Sequence, residues 1–185
     1  KTEVIPKMEA VTGRRFDQDR LSSIMERSKT SEDDLVAVLE SAKHRPSPID
    51  AYFGGVYYLG PLFTAFRGTP EAQDYYRLLR REAEDRIARG LGPVTPEGVM
   101  TREKYRLVVE GPPNWTHFRE FWKFFYDEGA VVVASSYTKV GGVYDLGFRH
   151  DPKRPLESLA EYCLGCYTNR NLPSRVDLLE KYLRD

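Results

Sequence analysis

Apolar residues recur at helical spacing through the first half of the chain. Across residues 15–28, Leu21, Ile24 and Met25 fall on one side, and further on Leu35, Val38, Leu39 and Ala42 repeat the pattern. Between them lies a polar run. Ser31, with Asp34 three residues on, reads there as the N-cap of a second helix. Arg45-Pro46-Ser47-Pro48 stops that helix near Lys43, because a residue before proline avoids the helical basin. Thr69-Pro70-Glu71 predicts a sharp helix start: a cap, a proline at the first position and an acid facing the positive end of the dipole. The helix carries Tyr76, Leu79, Ala83 and Ile87 and ends at Gly90. Residues 91–98 hold two prolines and two glycines, which marks a linker and a domain boundary.

The second half changes period. Residues 105–110 (YRLVVE) are short, β-branched and apolar, and predict a strand. A loop follows over Gly111-Pro112-Pro113-Asn114-Trp115, then a helix capped by Thr116 and closed by Gly129. Residues 130–135 (AVVVAS) are apolar on both faces, as in a strand buried within a parallel sheet. The unit is β-α-β with a right-handed crossover. After a long loop, Pro155 opens one helix and Pro173-Ser174 opens another. The expected class is therefore α/β, with a mainly helical region over 1–98 and an α/β domain over 99–185. Two parallel strands alone leave both sheet edges unpaired. Further strands are expected in residues 1–6, in residues 140–144, or in more chain. A chain that opens on Lys1 is read as a piece of a larger protein, not expected to complete a reaction by itself.

Composition narrows the function classes. The 28 basic residues balance 28 acidic ones, so no electrostatic footprint for nucleic acid is present. No apolar segment is long enough to span a bilayer, and residues 1–13 lack the apolar core of a signal peptide, so the default is a cytoplasmic protein with no membrane partner. Two cysteines in 185 residues make no disulfide scaffold.

Candidate chemistry starts at the loops after the two strands, where open α/β sheets bind ligands. The first loop offers Asn114, Trp115 and Thr116 with the N–H groups of a helix N-terminus; the second offers Ser136, Tyr137, Thr138, Gly141 and Gly142. Neither carries a dinucleotide or phosphate-loop fingerprint. Catalytic residues stay unassigned. Cys163-x-x-Cys166 has a spacing that suits metal or redox chemistry. It also lies on an apolar helical stripe with Leu156, Leu159, Ala160, Leu164 and Tyr167, which favours two small core residues over metal ligands. Tyr52, Phe53, Tyr57, Tyr58, Phe63 and Phe66 form an aromatic run that reads as core or subunit interface, or as a pocket for a planar apolar ligand. The three histidines form no triad with a serine or cysteine, and His150-Asp151 reads as a local polar pair on a turn. The arginine and glutamate alternation over 75–89 reads as a solvated, salt-bridged helix face.

Residues 110–142 (EGPPNWTHFREFWKFFYDEGAVVVASSYTKVGG) and the following FRHDPKRPLESLAEYCLGCYTNRNLPSRVDLLEKYLRD segment resemble the benzoyl-CoA reductase subunit family, of the ATP-dependent B-subunit type. That family lies within the wider D-component family of 2-hydroxyacyl-CoA dehydratases. The helical RGTPEAQDYYRLLRREAEDRIARG segment is similar too. The resemblance implies a helical region joined to part of a flavodoxin-like parallel sheet flanked by helices. It implies a homologous second subunit, a separate pair of ATPase electron-activating subunits, ferredoxin as the indirect donor and an acyl-CoA thioester as substrate. It implies a [4Fe–4S] cluster in the full-length protein, about twice this length on the usual size of such multi-domain chains. The cluster's cysteines would lie mainly before and after this segment, so the chain alone is expected to hold no complete cluster. The reaction implied is reduction of the aromatic ring of benzoyl-CoA. The alternatives are a 2-hydroxyacyl-CoA dehydratase subunit, a non-catalytic assembly module of the same fold, and a thiol redox domain using Cys163 and Cys166.

Overall fold

The structure, a computed structural model, describes residues 3–63, 66–138, 144, 147–166 and 169–184, with the backbone alone for residues 62 and 63. A short helix, α1 (Val4–Thr12), ends at Gly13 in the left-handed region and buries none of its residues. It takes residues 4–6 of the segment considered for a strand, while residues 1 and 2 lie outside the described residues. Next comes α2 (Gln18–Glu40), capped by Asp17, whose carboxylate accepts the Arg20 N–H at 2.8 Å.

The sequence predicts two helices here, and the structure has one of 23 residues. Ser31 is not a cap. It lies inside α2, fully buried, and its hydroxyl donates to the Arg27 carbonyl at 3.1 Å. The helix continues through the polar run: Thr30 and Ser31 bond back to the Glu26 and Arg27 carbonyls, and Glu32, equally buried, finds partners elsewhere in the chain.

Helix α3 (Phe53–Phe63) follows, with Pro61 inside it, and then α4 (Pro70–Arg89). The predicted signals of α4 hold. Thr69 accepts the Ala72 N–H, Pro70 takes the first turn and Gly90 closes the helix at φ 64°. Its outward face carries the expected ion pairs Arg80–Glu84 and Arg89–Asp85, while Arg86, paired with Glu82, is buried and donates to the Gly92 carbonyl. Its inward Tyr76 and Ala83 pack with Leu35, Val38 and Leu39 of α2 in the main core.

The linker predicted over 91–98 contains a two-residue antiparallel hairpin, β1 (Val94–Thr95) and β2 (Gly98–Val99). Then come β3 (Tyr105–Val109), a 3-10 turn (Trp115–His117), α5 (Phe118–Glu128) and β4 (Ala130–Ser135). As predicted, β3 and β4 pair in parallel, Tyr105 opposite Ala130 and Val109 opposite Ser135, with a register shift at Leu107/Val108. Gly129 closes α5 at φ 70°. Thr116, however, is not its cap. The preceding residues coil into the 3-10 turn, so His117 stands at the N-cap without a side-chain bond. The strands also differ in burial. Val131 and Val132 of β4 are fully buried, in keeping with the reading of residues 130–135, whereas Tyr105 and Leu107 of β3 are exposed.

The second edge of β4 is occupied by a short segment before α3. Ala51 N–H donates to the Val132 carbonyl at 2.7 Å, and Val132 N–H donates to Asp50 Oδ2 at 3.1 Å. The final helices are α6 (Pro155–Gly165) and α7 (Leu172–Arg184), the latter begun by Asn171 accepting the Ser174 N–H. Long-range hydrogen bonds link the two halves of the chain: Arg106 donates to the carbonyls of Ala42 and His44, and Glu103 accepts the Ser47 N–H.

Candidate ligand ledge and buried charge cluster

The loops after β3 and β4 meet at the carboxyl end of the sheet. Ser136 ties them. Its N–H donates to the Val109 carbonyl at 3.2 Å and its hydroxyl oxygen accepts the Gly111 N–H at 3.3 Å. Beside this latch, Trp115 is 57% exposed and stacks on Phe118 with ring centroids 5.7 Å apart, while Tyr137 meets Trp115 edge-on at 6.2 Å. The two loops therefore share one solvent-facing aromatic ledge, with the exposed Asn114 beside it.

Not every residue proposed from sequence faces that ledge. Ser136 is buried, and Thr138 is fully buried with its hydroxyl donating to the Ala51 carbonyl. A Cβ on Gly55 would approach the Thr138 methyl to 2.7 Å, so glycine is what lets α3 close on this loop. Gly141 and Gly142 lie outside the described residues.

Behind the ledge is an apolar cluster of Tyr52, Phe53, Trp122 and Val132, with Phe53 stacked on Trp122 at 5.5 Å. The aromatic run of α3 thus divides. Tyr52 and Phe53 are core, while Tyr57 is exposed and meets Phe118 edge-on at 6.5 Å. Asp50 anchors this arrangement. Its Oδ1 accepts the N–H groups of Tyr52 and Phe53 at 2.9 and 2.7 Å, at the start of α3, while Oδ2 takes the Val132 N–H. Burial pushes its carboxyl up to about 6, and the backbone donors only partly offset that.

A second polar centre was not legible as a site. Glu32 of α2 and His150 are both fully buried and in contact through Glu32 Oε1 and His150 Nδ1; the His150 backbone N–H donates to Glu32 Oε2 at 3.1 Å. Arg67 donates to Glu32 Oε1 at 3.2 Å and to the Tyr144 hydroxyl at 3.1 Å, and Tyr144 donates to Glu32 at 3.3 Å. The Tyr162 ring lies 4.8 Å from the Arg67 guanidinium carbon and 5.1 Å from the His150 ring.

Since an ionised carboxylate only accepts, His150 Nδ1 carries the proton that faces it. His150 Nε2 and Arg67 Nε are buried without a partner among the described residues. Burial alone would raise the Glu32 carboxyl; the hydrogen bonds and charge of His150, then Arg67, outweigh it and hold the group below its ordinary value. His150 and Asp151 are therefore no simple turn pair. The Asp151 carboxylate accepts the Lys153 N–H while His150 points into the core.

Cys163 and Cys166 separate. The buried face of α6 is Pro155, Ser158 and Tyr162, one residue off the stripe read from sequence, so Cys163 and Leu164 are exposed. The reading of Cys163 as core is thereby corrected. The polar Ser158 displaces the apolar residues because it hydrogen-bonds locally, to the Asp151 N–H and the Pro155 carbonyl. Cys166 is half-buried against the helical core, and burial pushes its thiol up. That is opposite to the shift an attacking thiolate needs. Tyr167 lies outside the described residues. Among the described residues, no group of three or more His, Cys, Asp or Glu is placed to hold a metal ion, and no helix is long and apolar enough to cross a membrane.

Comparison with known proteins gives the lineage. The family model described as 2-hydroxyglutaryl-CoA dehydratase, D-component, matches residues 2–185. The chain is 72% identical over 185 residues to the B-type subunit of benzoyl-CoA reductase from Thauera aromatica, covering all of this chain and 43% of that one. It is 26% identical over 141 residues to the (R)-phenyllactyl-CoA dehydratase alpha subunit of Clostridium sporogenes, covering 76% of this chain and 33% of that one. It is 25% identical over 141 residues to the alpha subunit of (R)-2-hydroxyglutaryl-CoA dehydratase from Acidaminococcus fermentans, covering 75% of this chain and 28% of that one. The chain thus spans less than half the length of these relatives.

Proposed function

The chain belongs to the 2-hydroxyglutaryl-CoA dehydratase D-component family, and from that membership we propose that it is a segment of the B-type subunit of an ATP-dependent benzoyl-CoA reductase. One observation supports this reading above the dehydratase alternative: identity is 72% to the reductase subunit against 26% and 25% to two dehydratase subunits. In this reading the full-length protein is cytoplasmic and works anaerobically beside a homologous second subunit. An ATPase pair, itself reduced by ferredoxin, delivers low-potential electrons.

A [4Fe–4S] cluster belongs to the full-length protein in the same reading, and it would supply single electrons when bound. The residues of this segment do not fit it. The chain has two thiols, one exposed and one half-buried at the end of α6, and a four-thiolate set needs more. What this segment contributes is positioning. The ledge of Trp115 and Tyr137, with Asn114 beside it, offers a flat aromatic surface for the acyl group. Ser136 and Thr138 hold the two loops and α3 in place behind it.

The test is anaerobic co-expression of the full-length protein with its partner and ATPase subunits. The expected result is ATP-dependent conversion of benzoyl-CoA to a cyclohexadiene thioester. Dehydration of a 2-hydroxyacyl-CoA without ring reduction would replace this reading with the dehydratase one. Neither activity, from an intact complex, would leave the assembly module.

A further inference from the structure

Away from the ledge, a cleft lies where α3, the β1–β2 hairpin and α5 meet. It holds about 470 Å3 and is lined by Tyr57, Tyr58, Val94, Thr95, Arg119 and Trp122, among others. That volume is within the range of small-molecule sites.

Its wall is built rather than incidental. Pro61 has no N–H, so the Tyr57 carbonyl four residues earlier loses its helical donor. The Tyr75 hydroxyl of α4 donates to that carbonyl at 3.0 Å, and the adjacent Tyr76 hydroxyl donates to the Tyr58 carbonyl at 2.6 Å. The turn bearing Tyr57 is thereby fixed to α4, yet the Tyr57 ring remains 57% exposed. A Cβ on Gly54 would lie 2.9 Å from the Tyr58 hydroxyl, so glycine gives that side chain its place in the wall.

The rim is cationic. Arg119 makes no hydrogen bond or ion pair among the described residues. It stands in the first turn of α5, where the positive end of the helix dipole disfavours a cation and favours an anion. One turn on, Lys123 is held by Asp127 at 2.7 Å, and Glu97 of the hairpin turn acts on Lys123. Arg80, Arg86 and Arg106 all have carboxylate partners, and Arg119 has none among the described residues. An aromatic wall with an unanswered guanidinium at its edge suits a flat ring that carries phosphate.

We propose that this cleft holds the adenine nucleotide end of the acyl-CoA thioester, the base against Tyr57 and a phosphate on Arg119. The proposal rests on the acyl-CoA reading above. Phe118 connects the cleft to the ledge, since its ring meets both Tyr57 and Trp115, so the chain of the thioester would run along it.

The test is equilibrium binding to the full-length protein with its partner subunit, using three probes: adenosine 3′,5′-bisphosphate, benzoyl-CoA, and S-benzoyl-pantetheine, which lacks the nucleotide. Arg119→Glu is expected to weaken the first two at least tenfold and to leave the third unchanged. Tyr57→Ala is expected to act in the same direction. Both side chains are exposed, and an unchanged melting temperature confirms that the variants fold. Equal bisphosphate affinity in wild type and Arg119→Glu overturns the cleft proposal, while benzoyl-CoA binding in the same samples keeps the acyl-CoA reading. Arg119-dependent bisphosphate binding without any benzoyl-CoA binding keeps the nucleotide cleft and overturns the acyl-CoA reading.

Discussion

Glu32 and Asp50 are both carboxylates sealed from solvent, and the molecule treats them in opposite ways. Glu32 is answered by side chains: the His150 ring, the Arg67 guanidinium, which brings charge, and the neutral Tyr144 hydroxyl. Asp50 is answered by neutral backbone N–H groups of Tyr52, Phe53 and Val132. Burial raises both groups. For Glu32 the hydrogen bonds of His150, helped by the Arg67 charge, reverse the sign, so its carboxyl ends below its ordinary value while Asp50 rises to about 6. The difference separates two ways of joining distant chain. The Glu32 cluster joins α2 to the loop before α6 across 118 residues, through charge. Asp50 joins α3 to β4 across 82 residues, through hydrogen bonds that need no counter-ion.

The largest effect is expected from removing the charge at Glu32. Glu32→Gln keeps the volume but leaves Arg67 and His150 facing an amide in a dry interior. Breaking a buried pair in this way costs about 3–5 kcal/mol. Thermal or urea unfolding should show that loss, and Arg67→Met in the same background should recover part of it by removing the uncompensated cation. If Glu32→Gln costs under about 1 kcal/mol, the cluster is not a charge-based tether.

Next in size is a dependence on pH with opposite signs at the two sites. Asp50 has a folded value of about 6, above its ordinary 3.8. Its contribution to stability is complete below 3.8 and is lost as pH rises through 6. The gap is worth about 3 kcal/mol. Glu32 is lowered, so its contribution is present above its ordinary value of 4.5 and disappears as pH falls through the folded value; Asp33 and Asp151, also lowered, act in the same direction. Stability should therefore climb as pH falls from about 7 toward about 4.5 and then turn down. Asp50→Asn should flatten the climb and spare the downturn. A monotonic fall from neutral pH in the wild type would contradict the account of Asp50.

Neither site was fully legible in the sequence, for reasons that differ. Asp50 stands just before an apolar run, the position of a helix N-cap, so its role at the start of α3 could be read locally. Its third bond, to Val132, could not. Glu32 left a subtler signal. Met25, Ser28, Glu32, Leu35 and Leu39 share one stripe of α2, and an acid within an apolar stripe implies a buried partner. Nothing local names His150 as that partner. The same limit explains Ser31, which looks like a cap until the tertiary partners of its neighbour keep the helix running. Where signals were purely local, as at Thr69-Pro70, Gly90 and Gly129, the structure agrees with the sequence. The ledge was half legible. Strand ends pointed to these two loops, but which side chains turn outward depended on α3, so Trp115 and Tyr137 face solvent while Ser136 and Thr138 do not.

The smallest expected effects sharpen the Asp50 side of the comparison, where backbone hydrogen bonds are the only fastening claimed. Thr138 completes that fastening, since its hydroxyl donates to the carbonyl of Ala51, next to Asp50. Thr138→Val keeps the shape and removes the donor, leaving a buried carbonyl short of a partner. The expected cost is about 1–2 kcal/mol. Thr138→Ser keeps the donor and removes the methyl that rests against Gly55, at a cost of about 0.8 kcal/mol. Both variants should keep the climb in stability between about pH 7 and about pH 4.5, because neither touches the carboxylate. Unfolding curves for the pair decide the point. A larger loss in Thr138→Ser than in Thr138→Val would mean that packing against α3, not the hydrogen bond, holds the Asp50 segment to the sheet.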